Sequence, residues 1–160
     1  MRIHDISRPL EPGIPVWPGD TPYAFEMVAK IADGSSVNVG SVTMSVHTGA
    51  HPDAPLHFED GEADIASVPL AKYVGPCVVD DVAPRGRDVG PDDLSPELVR
   101  LLPDHPRLLL RTYRERPGGF DEGLGHATPA LADALAELGV VLLGLDTDSM
   151  DAFESKELPA

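Results

Sequence analysis

The stretch HTGAHPDAPLHF, residues 47–58, places three of the chain's six histidines and one aspartate within twelve positions. On a helix, His47 and His51 would share one face. Pro52 argues against a helix, because it lacks a backbone donor and restricts the residue before it. The segment is therefore predicted to be a turning loop that brings its side chains together.

Upstream of this loop the sequence predicts strands. Residues 37–46 alternate apolar and polar side chains, a pattern typical of a half-buried strand that runs directly into the histidine loop. Residues 23–31 form a second predicted strand, and residues 2–7 a short first one. Proline and glycine interrupt residues 11–22, which are predicted to be loop.

Downstream, predicted strands alternate with helices, which favours an α/β fold, a mixed curled sheet with flanking helices, in a single domain over 1–160. Ser95 and Thr128 are predicted helix N-caps, each followed by proline, and Gly139 ends the second helix. A short helical turn is also expected within residues 64–75 and a further helix from residue 155. Buried strands are predicted at 76–82 and 107–113, and a third buried strand within 140–149 runs into an acidic turn.

Composition excludes several classes of partner. The formal net charge of −15 disfavours nucleic acid and anionic membrane surfaces, and the apolar runs are far too short to span a bilayer. Aromatic residues are only 5% of the chain, so the core is expected to be built from Val, Leu, Ile and Ala. The single cysteine allows no internal disulfide, which favours a cytoplasmic location.

The histidine loop predicts a metal site. Imidazole nitrogens from His47 and His51 with the carboxylate of Asp53 suit zinc, manganese or iron better than calcium or magnesium. Such a site activates water for hydrolysis, and His57, last in the run, is the candidate general acid and base. The alternative is that these are ordinary turn and surface histidines.

The other candidate residues are less specific. His105 and His126 are expected to be surface residues, and His4 is expected to be structural. A group of polar residues follows the last predicted strand and either lines the same pocket or forms a turn and cap: Asp146, Asp148 and Ser149.

The histidine loop resembles the H-x-G-[TA]-H-x-D-x-P-x-H signature of the cyclase-like metal-dependent hydrolases. Within them it is most similar to the bacterial kynurenine formamidases, or arylformamidases. VWPGDTPY at 16–23 resembles their tryptophan-containing loop, and LGLDTDSMDAFESKELPA at 143–160 resembles their late strand and the loop after it. The resemblance extends in order over nearly the whole chain.

This resemblance implies a swivelling β/β/α fold, a homodimer and two zinc ions per subunit. His47, His51 and Asp53 would ligate the first zinc, with Asp53 bridging to the second. His57 would donate and accept protons, and Trp17 would contact the aromatic formamide substrate, N-formyl-L-kynurenine. The products would be L-kynurenine and formate, in tryptophan degradation.

One departure from the family concerns the second zinc. The family's remaining His and Glu ligands lie on a helix beyond the segment that matches residues 155–160, so we expect the second zinc to be weak or absent here and activity to be impaired. Two alternatives stay open. One is a hydrolase of cyclic imides or isatin-like lactams from the same family, and the other is a non-catalytic metal-binding domain.

Overall fold

The computed structural model describes residues 2–82 and 88–156 of the 160-residue chain. The chain divides into two compact units, Met1–Pro52 and Asp53–Ala160. Its seven strands and two helices, within the described part, are β1 (Ala24–Ala29), β2 (Val39–Thr43), β3 (Val78–Asp81), β4 (Asp88–Val89), α1 (Pro96–Leu101), β5 (Arg107–Arg111), β6 (His126–Ala127), α2 (Pro129–Glu137) and β7 (Leu142–Leu145).

The first unit is built on an antiparallel hairpin of β1 and β2. A bulge interrupts the register between Met27 and Ala29. The ring of Phe25 lies over Gly40 on the facing strand, where the Cβ of any larger residue would fall 2.4 Å from the ring. Both predicted strands are confirmed, but β2 is shorter than the alternating pattern, and most of its side chains are exposed.

The predicted first strand is wrong. Within the described part of the chain, residues 2–7 form no strand. The carboxylate of Asp5 accepts a hydrogen bond from the backbone N–H of Ser7 at 3.0 Å, a local turn that competes with strand pairing. Ile3 and Ile6 are each 79% exposed, so no apolar burial opposes that turn.

The second unit contains a three-stranded parallel sheet in the order β3–β5–β7. Val78 lies opposite Leu108, and Arg107 lies opposite Leu142. A separate two-residue parallel bridge joins β4 to β6. The α/β class is confirmed, although the described strands form three small sheets rather than one curled sheet.

The helices begin and end where the sequence predicts. The Ser95 hydroxyl accepts from the N–H of Leu98 at 3.1 Å, and the Thr128 hydroxyl accepts from the N–H of Leu131 at 3.2 Å. Gly139 follows α2 with φ +80°, in the left-handed region that favours glycine. The expected turn within 64–75 is a short 3-10 helix, Leu70–Lys72.

The core is aliphatic, as the low aromatic content predicts. It packs the inner faces of β5, α1 and α2 together, and its nine buried members are Val82, Val89, Leu98, Leu102, Leu108, Leu110, Ala127, Leu131 and Leu135. The strand at 78–81 is less buried than predicted, because β3 is an edge strand and its side chains alternate between half-buried and exposed.

Two further predictions concern helices. Ser155 and Lys156 are not helical, and the rest of the helix predicted from residue 155 lies outside the described residues. Over the ranges 2–82 and 88–156, the helices are all too short or too polar to cross a bilayer.

Candidate metal centre

The backbone around Gly49 sets the geometry of the histidine loop. After β2 ends at Thr43, residues 46–50 turn and bend rather than continue as strand or helix. The N–H of Thr48 donates to the carbonyl of Ser45 at 3.1 Å, and Gly49 takes φ +75°. This left-handed residue reverses the chain between His47 and His51, as the loop prediction requires.

The rings of His47 and His51 are brought edge to face by this turn. Nδ1 of His47 lies 3.1 Å from Nε2 of His51. The ring centroids are 5.0 Å apart, with the planes inclined at 75°. With Zn–N bonds of about 2.0–2.1 Å, two ligand atoms of a tetrahedral zinc are about 3.3 Å apart. The two nitrogens therefore already have the separation of neighbouring zinc ligands.

The tautomer of His51 follows from its second nitrogen. Nδ1 of His51 lies 2.9 Å from the carbonyl oxygen of Gly49, which can only accept, so Nδ1 carries the proton. A neutral ring then presents Nε2 as a lone pair that accepts from Nδ1–H of His47, and an ion held by both nitrogens would take the place of that proton. Metal-bound histidines are oriented by just this kind of bond from the other ring nitrogen.

Asp53 completes the set of donors. His47, His51 and Asp53 each offer one ligand atom, and these atoms all lie within 4.8 Å of one another. Two imidazole nitrogens and one carboxylate oxygen are the donor types of catalytic zinc sites, so the residues present fit such an ion. The structure thus brings together the three residues that the sequence predicts as ligands.

Asp53 is also held within its own unit, by residues that carry no motif in the sequence. The hydroxyl of Tyr73 donates to the backbone carbonyl of Asp53 at 3.3 Å. The Tyr73 segment is fixed in turn by Arg107, which is only 7% exposed and donates to the carbonyls of Ala71 and, at 2.9 Å, Lys72. The sequence of residues 64–75 predicted only a short helical turn, not a contact with Asp53. No sequence pattern indicates that a buried arginine will bind backbone carbonyls.

His57 lies four residues after Asp53, at the end of the 3-10 helix Pro55–His57. Its ring contacts Phe58 with centroids 4.8 Å apart. Among the described residues, the group that could hold an ion contains His47, His51 and Asp53 but not His57. This placement agrees with a role other than metal ligation for His57; its proton-transfer role stays a prediction.

Trp17 lies at the start of a reverse turn in the first unit, where the N–H of Asp20 donates to the Trp17 carbonyl at 2.9 Å. The tryptophan is 36% exposed. The turn is tied to the histidine loop, because Asp20 accepts from the Ser45 hydroxyl at 2.7 Å and Ser45 Oγ accepts from the His47 N–H at 3.2 Å.

The polar group after β7 holds the loop that follows β5. One carboxylate oxygen of Asp146 accepts from the Thr112 N–H at 2.8 Å and from the Thr112 hydroxyl at 2.7 Å. Asp148 pairs with Arg116 and accepts from the N–H of Asp121 at 3.3 Å. These two carboxylates are therefore engaged in cross-loop contacts, in keeping with the turn-and-cap alternative.

Ser149 makes hydrogen bonds within the turn that follows β7. Its hydroxyl accepts from the N–H of Asp151 at 3.1 Å, and its carbonyl accepts from the Thr147 hydroxyl at 2.7 Å. In the same region, burial and a hydrogen bond from its hydroxyl to Asp121 at 2.8 Å raise the pKa of Tyr113.

The remaining histidines lie in separate places. His105 follows α1, where Nδ1 lies 3.1 Å from the carbonyl of Leu101. His126 is not the surface residue expected: it lies in β6 with a side chain only 22% exposed, and Nε2 is 3.3 Å from Asp88. A two-residue strand after a glycine-rich loop leaves no periodic signal in the sequence. His4 lies outside any strand.

Comparison with known proteins finds a matching protein family and similar solved structures. A protein-family model described as "Putative cyclase" matches residues 4–152. A potential metal-dependent hydrolase with cyclase activity is 24% identical, with a TM-score of 0.74 over 98% of this chain and 72% of that one. A predicted metal-dependent hydrolase from Bacillus stearothermophilus is also 24% identical, with a TM-score of 0.74 over 98% of this chain and 73% of that one. At this identity the two structures show that the fold is shared.

Proposed function

The chain belongs to the cyclase family, and on that premise we propose that it is a metal-dependent hydrolase whose ion is held by His47, His51 and Asp53. The observation that carries the proposal is the His47–His51 pair, with 3.1 Å between facing nitrogens and the second nitrogen of His51 committed to a backbone carbonyl. Two similar structures are described as metal-dependent hydrolases, which supports the same class.

We propose zinc as the ion, because two imidazoles and a carboxylate match the protein ligands of catalytic zinc and leave a coordination position open. When bound, zinc supplies Lewis-acid chemistry and lowers the pKa of a water that it ligates to about 7. The task of the three ligand residues is to fix the ion beside the substrate. The Gly49 carbonyl keeps His51 in the tautomer that can do so.

The proposed reaction is hydrolysis of an aryl formamide, N-formyl-L-kynurenine, to L-kynurenine and formate. Water adds its hydroxyl to the formyl carbon, the C–N bond breaks, and the aniline nitrogen leaves with a proton. His57 is the proposed proton carrier, since histidine transfers protons at neutral pH. Trp17 offers a partly exposed aromatic face for the substrate's ring.

A panel of substrates on the purified, zinc-loaded protein tests this proposal. We expect hydrolysis of N-formylkynurenine in preference to a cyclic imide and to isatin, with activity lost in the His51→Ala variant and retained in His105→Ala. Preference for the imide or for isatin would assign another hydrolase of the same family. Stoichiometric zinc with no hydrolysis of any of the three would assign a non-catalytic metal-binding domain.

Replacing the tryptophan separates aryl recognition from catalysis. Trp17→Ala is expected to raise KM for N-formylkynurenine by about tenfold or more with zinc affinity unchanged, since a stacked aromatic pair and its buried area are lost. Trp17→Phe should recover most of that loss. Unchanged KM in Trp17→Ala would show that Trp17 does not contact the substrate.

We also propose a homodimer that uses the hairpin of the first unit. Apolar side chains are exposed on this two-stranded sheet, among them Phe25 at 50%, Val28 at 58% and Val42 at 53%. An isolated two-stranded sheet is only marginally stable in water, so pairing with a second copy would protect it. Sedimentation equilibrium tests this: we expect dimers for the wild-type chain and monomers for Val42→Lys.

A further inference from the structure

Ser45, which lies between β2 and the histidine loop, uses all of its polar groups. Its N–H donates to the carbonyl of Thr21 at 3.1 Å, and its own carbonyl accepts from the Thr48 N–H at 3.1 Å. Its hydroxyl donates to a carboxylate oxygen of Asp20 at 2.7 Å, and the same hydroxyl oxygen accepts from the His47 N–H at 3.2 Å. One small side chain therefore joins two loops that are distant in sequence.

The two loops carry different parts of the proposed site. On one side, Asp20 closes the turn that begins at Trp17, through its own N–H and the Trp17 carbonyl at 2.9 Å. On the other side, the bond from Ser45 Oγ reaches the backbone of His47, the first proposed metal ligand. The chain of bonds Trp17–Asp20–Ser45–His47 thus runs from the proposed aryl contact to the proposed metal ligand.

The central bond of this chain is the strongest. A hydroxyl that donates to an ionised carboxylate forms a charge-assisted hydrogen bond, roughly twice as strong as a neutral one, and 2.7 Å is a typical length for it. The bond is partly buried, which reduces competition from water. Because Asp20 fixes the hydroxyl's proton, the oxygen's lone pair is left facing the His47 N–H.

We propose that Ser45 and Asp20 are positioning residues that set the backbone of His47 for metal binding and couple it to the Trp17 turn. This inference rests on the proposed function. Neither residue belongs to the group of candidate ligands, so both would act through His47 and through the turn. Loss of the hydroxyl would remove one restraint on the His47 backbone, and we expect the 3.1 Å approach to His51 to be less well set in advance.

Cobalt titration of the apo protein, followed by absorption spectroscopy, tests the first part. We expect Ser45→Ala to raise the Kd for Co²⁺ by about tenfold, the magnitude common for residues that orient metal ligands. Ser45→Thr keeps the hydroxyl and should stay within about twofold of the wild-type Kd. Ser36→Ala, at an exposed serine before the same strand, is the matched control and should change nothing.

The outcomes separate the inference from the function. If the wild-type chain binds Co²⁺ and Ser45→Ala binds it equally well, this inference is overturned while the proposed function stands. If Ser45→Thr is as weak as Ser45→Ala, the hydroxyl is not the cause, and the inference is again overturned. If the wild-type chain binds no metal ion, the proposed function itself fails and this inference fails with it.

The coupling to the Trp17 turn has its own readout. Asp20→Ala is expected to raise both the Kd for Co²⁺ and KM for N-formylkynurenine, each by several-fold. The Kd for Co²⁺ of the double variant Asp20→Ala/Ser45→Ala should be no higher than that of the single variant that binds Co²⁺ less tightly. This is because both substitutions break the same chain of bonds. Additive effects on Kd would show that the two residues act independently and would overturn the coupling.

Discussion

The Nδ1 atom of His51 lies 2.9 Å from the carbonyl oxygen of Gly49, only two residues earlier in the chain. The group that orients this proposed ligand is therefore backbone, and it belongs to the same turn as the ligand. No side-chain substitution elsewhere can remove this acceptor. The orientation of His51 depends instead on the left-handed conformation of Gly49.

Gly49→Ala is therefore expected to weaken metal binding by about tenfold. Alanine at φ +75° is strained by about 1–2 kcal/mol, and relief of that strain would turn the carbonyl away from His51. Gly13→Ala is the control for backbone strain alone: Gly13 has φ +91° and nothing within 4 Å of the position that a Cβ would take, whereas a Cβ at Gly49 would also fall 2.8 Å from Cδ2 of Leu10. Gly13→Ala should therefore lose no more stability than Gly49→Ala, and it should lose no metal affinity. Urea unfolding measures the stability of both variants, and Co²⁺ titration measures their metal affinity. Equal metal affinities in Gly49→Ala and Gly13→Ala would contradict the role proposed for Gly49.

His57→Ala is expected to lower kcat for formamide hydrolysis by about 10² to 10⁴, the usual contribution of a general acid and base. Zinc content should be unchanged, because His57 is outside the group of candidate ligands. Steady-state kinetics with metal analysis of the same sample measures both. A variant that loses its zinc would show that His57 is a ligand rather than a proton carrier.

Asp146→Ala is expected to reduce the free energy of unfolding by about 3 kcal/mol or more, since each hydrogen bond to a charged group contributes about 1.5–3 kcal/mol. The carboxylate accepts two bonds from Thr112, across the ends of β5 and β7. Asp104→Ala, at an exposed position, should stay within about 0.5 kcal/mol of wild type in the same urea titration. An equal loss of unfolding free energy in the two variants would contradict the structural role assigned to Asp146.

Tyr113 gives a prediction for alkaline pH. Burial first, and then the bond to Asp121, raise its pKa above the ordinary value of 10.0. Above about pH 10 the unfolded chain loses this proton while the folded chain keeps it, so stability falls as pH rises, with a slope approaching about 1.4 kcal/mol per pH unit. Below about pH 10 the contribution is fully present.

The measurement is the free energy of unfolding of wild type and Tyr113→Phe between about pH 8 and pH 11. Because other groups titrate in both proteins, the difference between the two curves isolates Tyr113. We expect that difference to be flat below about pH 10 and to change above it. A difference that stays flat throughout would contradict the raised pKa.

Most of the features that were predicted correctly from the sequence depend on short local patterns of residues. Ser95 and Thr128 cap their helices, and Gly139 ends the second one, because these effects depend on one residue and its immediate neighbours. The cluster of His47, His51 and Asp53 was predictable for the same reason, since all three candidate ligands lie within seven positions.

The features that the sequence did not predict correctly all depend on contacts that no local sequence pattern indicates. Residues 2–7 have an acceptable strand composition but a competing turn at Asp5. The partial burial of His126 depends on a two-residue pairing with β4. The hold of Arg107 on Ala71 and Lys72, and of Tyr73 on Asp53, joins residues that are distant in the chain.

The strand order β3–β5–β7 constrains how the protein forms during synthesis. The central strand needs a neighbour on each side, and the second neighbour, Leu142–Leu145, is the last strand of the described chain to leave the ribosome. Parallel neighbours cannot meet through a tight hairpin, so each waits for its connecting segment. Until then β5 has an unpaired edge, and we expect the nascent chain to be most prone to aggregation in that interval.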